Sequence, residues 1–99
     1  MSLTPRFHVL AEQELNEAAL FYASARPGLG RAFVNAVEEA VQLLCDSPAI
    51  GQGVDGGIRW WLVRRFPYCL YYRVRLDELR ILAVGHQKRR PFYWRGRSQ

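Results

Sequence analysis

From Ala11 to Ala25 the apolar residues Ala11, Leu15, Ala18, Ala19 and Tyr22 recur three and four positions apart, with Glu12, Glu14, Asn16 and Glu17 between them. That period predicts an amphipathic helix with its carboxylates on the opposite face. Arg26, Pro27 and Gly28 end it, because proline cannot continue the hydrogen-bond ladder and biases the residue before it away from helix. A second period, Phe33, Val37, Ala40, Val41 and Leu44 against Asn35, Glu38, Glu39 and Gln42, predicts a second helix that stops near Asp46 to Pro48. The short link PGLG makes the two an antiparallel pair. Ahead of them, the apolar run Phe7 to Leu10 predicts a first strand.

Beyond Gly57 the pattern changes. Ile58 to Val63 (IRWWLV), Cys69 to Val74 (CLYYRV) and Leu79 to Val84 (LRILAV) are short runs rich in β-branched and aromatic residues, and they predict three strands. Pro67 suits a turn or an edge, and Asp77 with Glu78 breaks the second run from the third. Gly51, Gly53, Gly56 and Gly57 mark an irregular loop before them. That loop lacks the Lys and Ser/Thr of a phosphate-binding loop. The expected architecture is α+β in the order β-α-α-β-β-β, an antiparallel helix pair packed on a small antiparallel sheet, as one domain over residues 1–99.

Composition narrows the class. A hydrophobic content of 49% excludes intrinsic disorder, and no apolar run approaches the roughly 20 residues of a membrane span. The N-terminus lacks the pattern of a signal peptide, so the expected location is cytoplasmic, with no membrane partner. Cys45 and Cys69 have no second Cys or His at zinc-like spacing, so both are expected in the core, with no metal and no cofactor.

Charge points to where function lies. Residues 1–57 carry three basic and seven acidic side chains, net −4, whereas residues 58–99 carry eleven and two, net +9. Thirteen of the fourteen basic residues are arginine, whose planar fork grips carboxylate and phosphate and stacks on rings. A domain so polarised steers acidic or phosphate-bearing partners toward one surface, although strand arginines also serve simply to stay solvated. Arg59, Trp61, Arg73 and Arg80 on the strands, and Arg64 and Arg65 just after the first of them, are the candidates. Trp60 and Trp61 alternate across a strand, so one ring is expected inside and the other outside.

The densest chemistry follows the last strand, where His86, Lys88, Arg89, Arg90, Tyr93, Trp94 and Arg95 fall within ten positions. Cleavage of RNA by its own 2′-hydroxyl needs a base, an acid and cations around the phosphorus. His86 and Tyr93 are the candidate proton carriers, with Arg89 in the clamp. Lys88, Arg90, Trp94 and Arg95 are candidates for binding. Against this, a His at a strand end is as often a structural hydrogen-bonder, and aromatic residues after a proline often cap a core.

With these residues in hand, the chain resembles the ParE/RelE toxin superfamily of bacterial type II toxin-antitoxin modules, also called plasmid stabilisation proteins. The likeness runs through EAALFYASARPGLGRAF, VRRFPYCLYYRV and ILAVGHQKRRPFYW, the last carrying His86, Arg89, Pro91, Tyr93 and Trp94. It implies the same fold and an antitoxin partner whose C-terminal segment folds over the toxin, giving a toxin-antitoxin hetero-oligomer. The superfamily divides by target. ParE-like members bind and inhibit DNA gyrase without catalysis, whereas RelE-like members are metal-independent endoribonucleases that cut mRNA on the ribosome. In the ribonuclease branch a basic residue follows the aromatic at the start of the third strand, where this chain has Cys69 after Tyr68. The RRFPY and YYRV wording and the PGLG loop resemble the ParE-like branch, so gyrase inhibition is the expectation and mRNA cleavage the alternative. A basic RNA-binding module without toxicity is a further alternative.

Overall fold

The computed structural model describes residues 2–97. In chain order it contains β1 (Thr4–Phe7), α1 (Val9–Ala25), α2 (Leu29–Asp46), a 3₁₀ turn (Pro48–Ile50), β2 (Gln52–Asp55), β3 (Ile58–Leu62), β4 (Tyr68–Arg75) and β5 (Glu78–His86). The strands form one mixed sheet in the order β1-β5-β4-β3-β2, with β1 parallel to β5 and all other pairs antiparallel. The helix pair and the strands after it stand where the periodicity places them. The expected single domain over residues 1–99 includes Met1, Ser98 and Gln99, which lie outside the described residues.

Three local features differ from the sequence reading. The first strand ends at Phe7, because His8 takes an extended conformation and its Nδ1 accepts the Leu10 N–H at 3.1 Å, capping α1 two residues earlier than expected. The glycine-rich stretch holds a strand. Asp55, Gly56 and Gly57 form a tight turn with positive φ at both glycines, 58° and 82°, and β2 pairs back onto β3 through it. Asp-Gly followed by Gly is a hairpin signal, since only such residues enter a two-residue turn of this hand without strain. The sheet is mixed rather than antiparallel because β1 reaches it only after the chain has crossed two helices and three strands to form β5.

The helix-side core follows the two apolar periods. Phe33, Val37 and Leu44 of α2 are fully buried, Val41 nearly so, and they meet Leu70, Tyr72, Leu79, Ile81 and Val84 of β4 and β5. Ala11 and Ala18 of α1 are buried, with Leu15, Ala19 and Tyr22 packed beside them. At one end Tyr22, Phe33, Phe66 and Tyr68 interlock with ring centroids 5.0 to 5.2 Å apart. The helices approach closely at Gly30, where a Cβ would lie 2.6 Å from the Ala19 carbonyl oxygen. Cys45 and Cys69 are both buried free thiols. Burial pushes both thiols up, Asp46 adding to it at Cys45.

Candidate interaction surface

The sheet is covered on both faces, but by different means. Cys69, Leu82, Ala83 and Trp94 are buried yet stand apart from the helix-side cluster, because the tail after β5 folds back over the other face. Trp94 stacks on Tyr71 with centroids 5.1 Å apart and is only 2% exposed. It was expected to bind a partner. Instead its indole is the lid of this second core, and no partner can reach it as the tail stands. The Gln87 N–H donates to the Pro67 carbonyl at 2.8 Å just past the β4–β5 ladder, and within the tail the Arg95 N–H donates to the Phe92 carbonyl at 3.0 Å in a short turn.

The tail is anchored where β5 loses its neighbour. Past Ile81, β1 has given way to α1, leaving the Leu82 carbonyl and Val84 N–H without a strand partner on that edge. Glu14 Oε1 accepts the Val84 N–H at 2.9 Å, and Arg97 Nη1 donates to the Leu82 carbonyl at 3.0 Å. Arg97 also grips both oxygens of Glu14, at 3.0 and 2.9 Å. Two side chains thus replace a strand, and neither was singled out by sequence: Glu14 was read as part of the outer helix face. The hydrogen bond with Glu14 pushes the Arg97 pKa up against the opposing effect of burial.

Beside this anchor lies Tyr93, one of the two candidate proton carriers. Its ring carries the Arg89 guanidinium at 3.8 Å and that of Arg97 at 5.1 Å. Its hydroxyl is buried against Gly85 without a hydrogen-bond partner of sound geometry among the described residues. Burial first, and the Glu14 carboxylate second, push this phenol well above the ordinary tyrosine range. His86 is turned the other way. Side chains alternate along β5, so the residue after Gly85 faces the helices, where His86 meets the Tyr68 ring edge at 5.2 Å. Its Nδ1 accepts the Lys88 N–H at 3.0 Å. His86 thus turns toward Tyr68 while the Tyr93 hydroxyl lies against Gly85, and Arg89, stacked on Tyr93, lines the same hollow as His86.

The remaining candidates fall into distinct places rather than one groove. Arg59 donates to the Gly51 carbonyl at 2.7 Å, and the Tyr72 hydroxyl joins the same loop by donating to Pro48 O at 2.7 Å, so Arg59 ties a loop. It does not join Arg64 and Arg65, which lie together in the β3–β4 turn. Arg95 bridges to Asp55 at 2.7 Å on the surface, where such a pair stabilises little. Trp61 packs on the helix-side core, and Trp60, its neighbour in β3, points to the other face. Among the described residues no carboxylate lies within 4.0 Å of Arg64, Arg65, Arg73, Arg75, Lys88 or Arg90, so their charge is available to a partner.

Register brings a basic block together that sequence spacing hides. Arg6 lies beside Arg80 across β1–β5, and Arg80 beside Arg73 across β5–β4, so three guanidinium side chains cross three strands on the face away from the helices. Arg75 sits opposite Glu78 in the same block. Among the described residues only Glu78 compensates it, accepting from Arg80 at 2.8 Å and from Arg6 at 3.4 Å. The Nε of Arg73 is buried without a hydrogen-bond partner among the described residues. Like charges placed directly opposite destabilise a sheet. Arg6 and Arg75 were missed because only strand pairing, which no local motif encodes, adds them to Arg73 and Arg80.

Two helices on a five-stranded mixed sheet of this order match the fold of ParE/RelE toxins. The chain belongs to the family described as ParE toxin of type II toxin-antitoxin system, parDE, whose sequence profile matches residues 6–91. Among solved structures it is similar to the chromosomal ParDE toxin-antitoxin system of P. aeruginosa, with a TM-score of 0.74 and 21% identity over 86% of this chain and 96% of that one. It is similar also to the RelBE2 toxin-antitoxin complex of Mycobacterium tuberculosis, with a TM-score of 0.61 and 26% identity over 87% and 99% of the two chains. No curated protein matches the chain. Among the described residues no group of three His, Cys, Asp or Glu is placed to hold a metal ion, and no helix is long and apolar enough to cross a membrane.

Proposed function

We propose that this toxin arrests growth by binding DNA gyrase rather than by cleaving RNA, and that a cognate antitoxin neutralises it by covering the basic sheet face. One observation carries the choice of mechanism. The Tyr93 hydroxyl is buried against Gly85 while His86 turns toward Tyr68, an arrangement that favours binding over proton transfer by this pair. Proton transfer requires each group within hydrogen-bond reach of the reacting atoms. Cys69, standing where the ribonuclease branch has a basic residue, is buried beneath the tail and offers no cation to a phosphate. Binding, in contrast, needs only a surface. Arg73, Arg75 and Arg80 supply one, and an acidic segment that is disordered alone can fold against it. The two similar structures, both toxin-antitoxin systems, support an antitoxin partner.

The test is induction of the chain in bacteria with and without the antitoxin encoded beside it. The expected result is double-strand breaks and an SOS response with intact mRNA, both relieved by the antitoxin. Ribosome-dependent mRNA cleavage without DNA damage would replace this reading with the endoribonuclease one.

A further inference from the structure

The loop between β3 and β4 and the start of α2 enclose an open cleft of about 520 Å³. Arg26 from the end of α1 and Arg64 and Arg65 from the loop line it. No carboxylate lies within 4.0 Å of any of the three among the described residues. Between them Leu29, Ala32 and Ala36 of α2 and Phe66 form an apolar floor, with Asn35 and Glu39 of the same helix also lining the cleft. The N-terminus of α2 opens beside it with no side-chain cap and no acidic residue in its first turn, which adds positive potential.

The loop conformation is itself informative. Phe66 N–H donates to the Val63 carbonyl at 3.4 Å, closing a four-residue turn in which Arg65 holds a φ of 72°. That is the position where a turn of this kind favours glycine, and an arginine there is strained. Arg65 in this conformation lines the cleft beside Arg64.

We infer that this cleft is a docking site for an acidic peptide segment of a protein partner, one that seats an apolar side chain on Leu29, Ala36 and Phe66 between carboxylates held by Arg26, Arg64 and Arg65. Charge complementarity and the apolar floor together select that occupant over nucleic acid. A phosphate backbone would leave the apolar floor unused, whereas Glu39, which also lines the cleft, opposes phosphate and carboxylate alike. Phe66 is not free to stack a base, since its ring is engaged edge-on by Tyr22 and Phe33 at 5.0 and 5.1 Å. The inference stands apart from the choice between gyrase and mRNA as the target.

Amide chemical shifts of the isotope-labelled protein test it, titrated with a synthetic peptide carrying one leucine flanked on each side by two glutamates. Shifts confined to Arg26, Ala32, Ala36, Arg64, Arg65 and Phe66 are expected, weakened by salt and absent with a glutamine-for-glutamate peptide. Arg65→Gly should fold at least as stably, because glycine accepts the turn freely, yet bind the peptide about tenfold more weakly for want of a charge-assisted contact. No shifts in the cleft, or undiminished binding by Arg65→Gly, would overturn the inference. A thymidine oligonucleotide of equal charge binding the same amides more tightly would assign the cleft to nucleic acid instead.

Discussion

Glu14 and Arg97, 83 residues apart in sequence, form a two-pronged ion pair that completes the edge of β5. Their side chains are only 13% and 11% exposed. One carboxylate serves the Val84 N–H and Arg97 together, so the helix pair, the sheet edge and the tail share a single fastening.

Removing one member should therefore loosen all three. Glu14→Ala leaves a shielded guanidinium and a sheet amide without partners, and loss of one side of such a pair is destabilising by about 3 kcal/mol. Glu14→Gln keeps an oxygen for Val84 and should lose about half as much. Urea denaturation midpoints measure both. Equal losses in the two variants would show that the Val84 contact contributes nothing.

Tyr93 separates structural from catalytic roles. Because its hydroxyl is buried without a sound partner, Tyr93→Phe should leave stability unchanged or raise it by up to about 1 kcal/mol. Growth arrest on induction should persist. Loss of toxicity from a fully folded Tyr93→Phe variant would restore a chemical role to the phenol.

The same burial makes an alkaline prediction. Tyr22, Tyr68, Tyr71, Tyr72 and Tyr93 are all raised above 10.0, burial being the first cause in each. The folded chain then holds these protons more tightly than the unfolded chain, so their contribution is full below pH 10 and is lost as pH rises through the folded values. Cys45 and Cys69, raised above 9.0 by burial, extend the window downward by one unit. Melting temperature should be level with respect to these groups up to about pH 9 and fall above it. Tyr93→Phe should fall less steeply, and an identical slope would contradict the burial of that hydroxyl.

The helices were legible because burial imposes a 3.6-residue period that survives in any such sequence, and all five residues of the Phe33, Val37, Ala40, Val41, Leu44 stripe are buried. The strands after Gly57 were legible for a similar reason, their β-branched and aromatic content. What was hidden depends on distant pairing. Nothing near Glu14 shows that it will face a sheet edge, and nothing near Arg6 shows that β1 will run parallel to β5 and bring it beside Arg80. His86 and Tyr93 are near in sequence, but His86 ends β5 on the helix side and Tyr93 belongs to the tail that folds back against Gly85.

Gly30 tests the helix pair. A methyl group there would stand 2.6 Å from the Ala19 carbonyl oxygen and 2.9 Å from the Ala23 Cβ, and backbone cannot yield as a flexible side chain would. Gly30→Ala should destabilise by about 2 kcal/mol, against the usual gain of placing alanine in a helix. A variant as stable as the parent in thermal denaturation would mean that the helices can separate without penalty.

Arg73 tests the basic face, because stability and function should move in opposite directions there. It lies directly opposite Arg80, and among the described residues no carboxylate neutralises it and its Nε is buried without a hydrogen-bond partner. For the fold alone, Arg73→Gln should be neutral or stabilising by about 0.5 kcal/mol, since it relieves a like-charge cross-strand pair. A partner carrying carboxylates would lose a charge-assisted contact, so antitoxin affinity should fall by about tenfold, and growth arrest should weaken if the target uses the same face. Urea denaturation, antitoxin titration and induction of the variant measure these effects side by side. Full antitoxin affinity together with full toxicity in a stably folded Arg73→Gln variant would remove the Arg6–Arg80–Arg73 row from the interaction surface and leave its charge a matter of solvation.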